Sequence, residues 1–320
     1  MNWNVVLVVG PLALAGCSIF GSEDGQKNDG VIPGTGAAGG AGGAGGAGAA
    51  GSGAAGGGGA KSCGASAGPA MIAVPSPGGG TYCIDRTEVT QAQYAEFLAA
   101  PKMSPGSENA DCADNKSYQP VAEASSYEPA TCIAGVSWTP KTTPERPVVC
   151  IDWCDAYAYC KWAGKRLCGK VGGGGLEIAG GLDTPADPAN DAAKSQWFNA
   201  CSQGGKTQYA YGDAYDPAAC GGEVDSPDWE SMKKNVGARA GCHGATEPWA
   251  QLRDLNGSVS EYTDECFVWV SPSSGKGTKH CALRGGSMTD EKKALGCPLT
   301  QTPTTDTAAP QRGFRCCRDI

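Results

Sequence analysis

The chain has 320 residues, 50 of them glycine, and a formal net charge of −8 at pH 7. Much of the glycine lies in one N-terminal stretch, so residues 63–320 carry seven of the eight tryptophans and 16 of the 17 cysteines, enough for one large core. The acidic charge and the lack of a Lys/Arg run argue against nucleic-acid binding, and no apolar stretch is long enough to span a bilayer.

The first 17 residues are typical of an export signal. Residues 5–10 and 12–15 form an apolar region of signal-peptide length. The tetrapeptide Leu-Ala-Gly-Cys that ends at Cys17 resembles a bacterial lipobox. The sequence therefore predicts a signal peptide over residues 1–16 and a lipidated Cys17, the alternative being an ordinary cleaved signal. Because Ser18 rather than Asp follows the cysteine, similarity to known lipoprotein sorting rules favours an outer-membrane lipoprotein, facing either the periplasm or the surface.

A flexible linker is predicted between the lipidated cysteine and the domain, over residues 17–62. Residues 36–60 are Gly or Ala at every position except Ser52, so no side chain there supports a packed core. A Gly-rich coil of this length reaches roughly 35–40 Å. We therefore expect the domain, residues 63–320, to stand clear of a membrane to which the lipid attaches it.

Sixteen cysteines remain outside Cys17, an even number in a chain with an export signal. An oxidising compartment favours disulfides, up to eight of them, and no pair has the two-residue spacing of zinc ligands. Spacing does not determine the connectivity. Cys316 and Cys317 are adjacent, and neighbouring side chains of a strand point to opposite faces, so we expect them to have different partners rather than to bond each other.

Local signals predict a strand and two helices in the first half of the domain. Residues 83–89 alternate as a strand, and Thr90 with Gln93 forms a capping box that starts a helix. A second helix is predicted to begin after Asp152 and to end at Gly164.

The second half of the domain has weaker signals. A third short helix is predicted over residues 192–201, anchored by Trp197. Residues 252–262, 282–287 and 313–317 are predicted as short strands between long irregular segments. These elements together predict an α+β domain that is rich in loops and disulfides.

The ordered motifs of the domain resemble those of the formylglycine-generating enzyme family, also called sulfatase-modifying factor domains. The matching segments, in chain order, are residues 83–90, 153–167, 196–197, 211–213, 252–262, 283–287 and 313–315. The resemblance implies a C-type-lectin-like fold, in many members with a structural calcium ion.

The resemblance also implies a test for the family's activity, the oxidation of a substrate cysteine to formylglycine with O₂. Active members hold Cu(I) with two cysteines at defined distances after the Ser of an Arg-Gly-Gly-Ser motif, and those positions here are Asp290 and Leu295. Cys297 is the nearest cysteine, and we expect it to be bridged to a C-terminal cysteine. No catalytic residue or bound copper is therefore predicted. An oxidoreductase that uses Cys297 in a rearranged cysteine pair is the alternative.

A calcium site is implied at the family's Gly-Asn-Val-x-Glu-Trp stretch. The Asn position is Ser258 here, whereas Gly257 and Glu261 are retained, and calcium takes oxygen ligands of this kind. Gly257 and Glu261 are thus candidate ligands. The alternative is that Glu261 caps a loop or forms an ion pair.

The remaining charged motif residues have structural interpretations. Asp152 and Asp155 are predicted helix caps, and Glu88 is predicted to be satisfied by nearby backbone N–H groups. Arg284 and Arg315, in the two closing motifs, are predicted to form ion pairs with buried carboxylates.

The loop from Met288 to Gln311 is the candidate ligand-binding surface, since it is a long polar segment between two fixed strands. The leading hypothesis is an outer-membrane lipoprotein whose domain binds a protein or glycan ligand. A structural envelope component without a specific ligand is a further alternative.

Overall fold

The computed structural model describes the domain with short gaps. The described residues are 62–120, 132, 137–179, 187–220, 234–287, 289–299 and 301–320. The predicted signal peptide, Cys17 and all of the predicted linker except its last residue lie outside them, as does Met288. Within the described residues, no helix is long and apolar enough to cross a membrane.

Short helices and strands alternate with long loops throughout the domain. The strands are β1 Met71–Pro75, β2 Thr81–Asp85, β3 Arg166–Leu167, β4 Leu176–Glu177, β5 Ser260–Val270, β6 Gly277–Arg284, β7 Arg312–Phe314 and β8 Cys316–Asp319. The α-helices are α1 Gln91–Ala99, α2 Trp153–Trp162, α3 Gln196–Cys201 and α4 Pro217–Cys220. The predicted loop-rich α+β class is confirmed.

The strands form two four-stranded sheets. The first has the order β1-β2-β8-β3 with antiparallel pairs throughout. In the second, β5 pairs with β6 antiparallel and with β4 and β7 parallel. Only Arg315 separates β7 from β8, so a single residue connects the two sheets at the end of the chain.

The predicted capping box at Thr90 and the predicted caps Asp152 and Asp155 are present, the latter as a second capping box, and they explain where α1 and α2 begin. The Thr90 hydroxyl accepts from the Gln93 amide at 3.3 Å, and the Gln93 side chain accepts from the Thr90 amide at 3.0 Å. Asp152 and Asp155 make the equivalent pair of bonds at 2.9 and 3.3 Å. Each box satisfies two helix N–H groups that would otherwise have no partner.

An aromatic cluster joins α1 and α2 to β7 in the main core. The Tyr94 and Tyr159 rings are stacked with centroids 5.7 Å apart, and Phe97 and Phe314 pack edge-on against Tyr159 at 5.6 and 5.3 Å. A second buried cluster surrounds Trp197 of α3. Each buried aromatic ring removes about 150–250 Å² of surface from water, so these clusters compensate for the scarcity of regular structure.

All sixteen cysteines outside Cys17 are paired. The bridges are Cys63–Cys83, Cys112–Cys154, Cys132–Cys150, Cys160–Cys316, Cys168–Cys317, Cys201–Cys297, Cys220–Cys242 and Cys266–Cys281. The adjacent Cys316 and Cys317 have different partners, as predicted. The predicted pairing of Cys297 with a C-terminal cysteine is wrong, because both C-terminal cysteines are bonded to residues at the end of α2 and just after β3.

Several predicted element boundaries differ from the structure. The backbone has positive φ at Asp254, Gly257 and Ser258, which a strand does not allow, so β5 begins only at Ser260. The third helix begins at Gln196 because the preceding serine side chain caps it. Of the long β5–β6 hairpin, only residues 260–262 and 282–284 were predicted to be strand.

The neighbouring Cys160–Cys316 and Cys168–Cys317 bridges lead to the first prediction. Replacing Cys160 and Cys316 by alanine should lower the free energy of unfolding by about 3 kcal/mol. The loss is limited because the intact Cys168–Cys317 bridge leaves the Cys160–Cys316 bridge to close a loop of only about ten residues. Replacing all four cysteines should cost about 7 kcal/mol, because a loop of roughly fifty residues is then also released. Urea unfolding measures both values, and equal losses in the two variants would contradict the prediction.

Candidate functional site

The position that corresponds to the first copper cysteine is part of a tight turn after β6. Gly285 and Gly286 both have positive φ, and a Cβ at either would lie 2.5 Å from a backbone oxygen. The Asp290 carboxylate then accepts from the Ser287 amide at 2.7 Å and from the Ser287 hydroxyl at 2.8 Å. Asp290 also accepts from Gln301 at 3.2 Å, so its carboxylate holds the turn together.

The position of the second copper cysteine is filled by an apolar side chain. Leu295 is buried, and its carbonyl accepts from the Asn256 side chain at 2.8 Å. Cys297 is bonded to Cys201, and both are fully buried. Cu(I) requires soft sulfur ligands, whereas this site offers a carboxylate, a leucine and a disulfide, so these residues do not fit copper. The alternative of a rearranged pair that includes Cys297 is not what the structure shows.

Both carboxylate oxygens of the candidate calcium ligand Glu261 accept hydrogen bonds from N–H groups. One oxygen accepts from Arg315 Nη2 at 2.6 Å, and the other accepts from Arg315 Nε at 2.7 Å and from Trp197 Nε1 at 2.8 Å. The Gly257 amide donates to the carbonyl of Gly285 at 2.9 Å. A carboxylate whose two oxygens face a guanidinium does not fit a calcium ligand, and the ion-pair interpretation of Glu261 describes it instead.

One other group of metal-type ligands lies close together among the described residues. It consists of Glu108, Cys112 and Cys154. The two cysteines are bonded to each other, and the Glu108 carboxylate accepts from Tyr118 and Asn115. This group is therefore a structural cluster and offers no thiolate.

Two buried arginine–glutamate pairs support the closing motifs, as predicted. Arg284 of β6 contacts Glu265 of β5 at 2.6 Å, and Arg315 contacts Glu261 of β5 at 2.6 Å. Trp197 lies between the pairs. The Arg284 guanidinium is 5.7 Å from the centre of the Trp197 ring, and Trp197 Nε1 donates to Glu261. All four charged side chains are essentially inaccessible to water, so each depends on its partner.

Arg315 also bonds the backbone of two further segments. Its Nη1 donates to the carbonyls of Asp85 and Arg86, at 3.2 and 3.3 Å. Its Nη2 donates to the carbonyls of Arg253 and Asp254, at 2.8 and 3.2 Å. The guanidinium thus fixes the end of β2, the turn before β5 and β5 itself around one point.

The prediction that backbone N–H groups satisfy Glu88 is wrong. Neither carboxylate oxygen of Glu88 has a hydrogen-bond partner in the described part of the chain, and the nearest cation, Arg315 Nη2, is 4.0 Å away. Glu88, Asp254 and Glu261 form a carboxyl cluster around one guanidinium. Burial and the negative charge of Asp254 raise the pKa of Glu88 well above its ordinary value, and the positive charge of Arg315 offsets only part of this rise.

Among the described residues, the most exposed large apolar side chains lie at the tip of the β5–β6 hairpin. Val268, Trp269 and Val270 are 61%, 49% and 55% exposed. One face of the hairpin and a neighbouring segment enclose a groove of about 560 Å³, which we call the aromatic groove. It is lined by Phe267, Trp269, Thr278, His280, Thr302 and Thr304.

The predicted ligand-binding loop supplies one wall of the aromatic groove. Its residues run along the edge of β6, where Cys281 donates to the carbonyl of Pro303 at 3.2 Å and Leu283 donates to that of Gln301 at 2.9 Å. Thr302 and Thr304 belong to this stretch. The hairpin wall was not predicted from the sequence, although the run from Phe267 to Val270 and the Ser-Pro-Ser-Ser-Gly that follows are typical of a strand and turn.

Comparison with known proteins identifies the family. A family model described as a sulfatase-modifying factor enzyme 1-like domain matches residues 78–320. The chain belongs to this family. It is 25% identical over 277 residues to a formylglycine-generating enzyme of Streptomyces coelicolor, covering 74% of this chain and 78% of that protein. A formylglycine-generating enzyme of Mycobacterium tuberculosis is 26% identical over 290 residues, with 74% and 87% covered.

The family also contains a relative named as inactive. The chain is 27% identical over 215 residues to the inactive C-alpha-formylglycine-generating enzyme 2 of Mus musculus, with 62% of this chain and 56% of that protein covered. The resemblance found in the sequence motifs is thus confirmed at the level of the family. Membership alone does not decide activity, so the residues at the site must.

The first prediction for the site concerns Arg315. Replacing Arg315 by methionine should lower the free energy of unfolding by about 3–5 kcal/mol, because Glu261 is left buried without its cation. As a control, Lys194→Gln removes an exposed ion pair with Asp191 and should cost at most about 1 kcal/mol. Denaturant unfolding compares the two variants, and a similar small loss in both would contradict the role given to Arg315.

A second prediction concerns pH and Glu88. A carboxyl group whose pKa is higher in the folded state binds its proton more tightly there, so the free energy of unfolding falls as pH rises above its ordinary pKa of 4.5. Glu88→Gln should remove this loss, by up to about 1.4 kcal/mol for each pH unit, whereas the exposed Glu96→Gln should not. Unfolding midpoints measured from pH 4 to 8 test this, and parallel curves for Glu88→Gln and the unmodified chain would refute it.

Proposed function

We propose that the chain is a lipid-anchored envelope protein whose sulfatase-modifying factor domain binds a ligand and does not generate formylglycine. The observation that carries the proposal is the site that corresponds to the copper cysteines. Asp290 there accepts hydrogen bonds within a turn, Leu295 is buried, and Cys297 is in a disulfide. No pair of thiolates is available among the described residues to hold Cu(I) or to take part in oxidising a substrate cysteine.

The proposed location follows from the N-terminal sequence. The lipobox that ends at Cys17 would attach the chain to the outer membrane, and the Gly/Ala stretch over residues 36–60 would let the domain reach a ligand away from the bilayer. Such an anchor suits a protein that captures a protein or glycan in the envelope. The exposed apolar tip of the hairpin beside the aromatic groove supports binding, since large apolar side chains are seldom left open to water in a group.

The proposal predicts that the chain neither binds Cu(I) tightly nor oxidises a cysteine peptide in the presence of O₂. The full chain with Cys17→Ser, which removes the one cysteine outside the eight disulfides, is titrated with Cu(I) and incubated with cysteine peptides that are then analysed by mass spectrometry. The formylglycine-generating enzyme of Streptomyces coelicolor, assayed alongside, shows that the conditions support the reaction.

A matched variant tests the reason for the inactivity. Asp290→Cys combined with Leu295→Cys places thiols at both family positions, and we expect it to bind Cu(I) more tightly than the parent chain by at least about tenfold. Conversion of a cysteine peptide to the aldehyde by the parent chain would overturn the proposal, whichever copper affinity the variant shows.

A further inference from the structure

The aromatic groove differs in charge from the groove on the other face of the hairpin. None of its lining side chains is a carboxylate, a lysine or an arginine. The opposite groove, of about 630 Å³, is lined among others by Asp111, Glu177, Asp264 and Lys279. The aromatic groove therefore favours an uncharged ligand, because no carboxylate, lysine or arginine of its lining would compensate a charge on the ligand.

Trp269 provides an open aromatic face in the groove. It is half-exposed, whereas the neighbouring Phe267 ring is stacked on His280 with centroids 5.2 Å apart and an angle of 20° between the rings. The face of an aromatic ring carries partial negative charge and attracts C–H groups that carry partial positive charge. The C–H groups on one side of a sugar ring have this character because each carbon is bonded to oxygen.

The polar groups of the groove match a ligand that both donates and accepts hydrogen bonds. His280 Nδ1 lies 3.0 Å from the carbonyl oxygen of Thr302, which only accepts, so Nδ1 carries a proton and Nε2 can accept a hydrogen bond when the ring is neutral. The side chains of Thr278 and Thr302 also line the groove, and the hydroxyl of each can donate and accept. Thr304 is already bonded to Thr307 at 2.6 Å.

We propose that the aromatic groove binds a neutral pyranose unit of a glycan, stacked on Trp269 and hydrogen-bonded to His280, Thr278 and Thr302. The inference rests on the proposed binding function and names its ligand class. The groove volume of about 560 Å³ lies within the range of small-ligand sites. A proline-rich peptide, the other common ligand of aromatic grooves, offers mainly carbonyl acceptors and would leave the acceptor His280 Nε2 unpaired.

The test uses the full chain in a detergent without a sugar headgroup. Soluble neutral oligosaccharides of glucose, mannose, galactose and N-acetylglucosamine are each added at about 10 mM, a concentration that detects millimolar binding, and saturation-transfer NMR reports contact with the protein. We expect at least one of the four to bind. Trp269→Ala should then weaken binding at least tenfold, about the loss found when a central aromatic contact is truncated.

Two further variants separate the groove from the rest of the hairpin tip. Thr278→Val removes one hydroxyl at nearly constant size and should weaken binding severalfold. Val268→Ala, a change at an exposed position that faces the opposite groove, should leave binding unchanged. Equal effects of Trp269→Ala and Val268→Ala would overturn the assignment to the aromatic groove.

The inference fails if none of the four oligosaccharides binds, or if the groove instead takes a proline-rich peptide. It also fails if Trp269→Ala lowers the binding of the Cys17→Ser chain to phosphatidylcholine–phosphatidylglycerol vesicles and no sugar binds, since the hairpin tip is then a membrane contact. Each of these results leaves the proposed absence of cysteine oxidation standing. That proposal fails separately, through copper binding and peptide oxidation by the parent chain.

Discussion

The fold of this domain depends on the buried guanidinium of Arg315. Arg315 is the single residue between β7 and β8, which belong to different sheets, and it bonds Glu261 of β5 and the backbone of residues 85–86 and 253–254. Disulfides from the next two residues, Cys316 and Cys317, attach the same point to the end of α2 and to the residue after β3. A chain with few hydrogen-bonded elements thus gains a fixed geometry from one cation, one carboxylate and two covalent bridges.

The residues that hold the fold together are different from those at the copper positions of the family. The closing motifs that hold Arg284 and Arg315 are intact and meet buried glutamates, whereas the segment between the motifs has other residues at the copper positions. Asp290 and Leu295 have acquired structural roles there, one in a turn and one in the core. The domain therefore keeps its shape with other residues at the copper positions, and its relatives include a formylglycine-generating enzyme and a protein named as inactive.

Features encoded by neighbouring residues could be predicted from the sequence, and features that depend on distant contacts could not. The capping boxes at Thr90 and Asp152 act within three residues, and so does the divergence of Cys316 and Cys317. The partner of Cys297 depends on which segments the two sheets bring together, so the spacing of the cysteines in the sequence could not predict it. The unpaired carboxylate of Glu88 likewise results from three carboxyl groups that converge on a single arginine.

The outer half of the hairpin could not be predicted for a different reason. This half is exposed on both faces, so the alternation of buried and exposed residues that marks a half-buried strand is missing between Phe267 and Val270. An apolar segment that does not serve the core is better explained by a surface contact than by stability. We therefore place the proposed ligand at the aromatic groove rather than at the positions of the copper cysteines.

Peptide mapping of the disulfides in the natively exported protein tests the central claim most directly. Proteolysis without reduction, followed by mass spectrometry, should yield a linked peptide that contains Cys201 and Cys297, together with separate links from Cys316 to Cys160 and from Cys317 to Cys168. Thiol labelling under denaturing conditions should then find no free cysteine in residues 63–320. A free Cys297 with a second free cysteine would contradict the account and restore the possibility of a thiolate site.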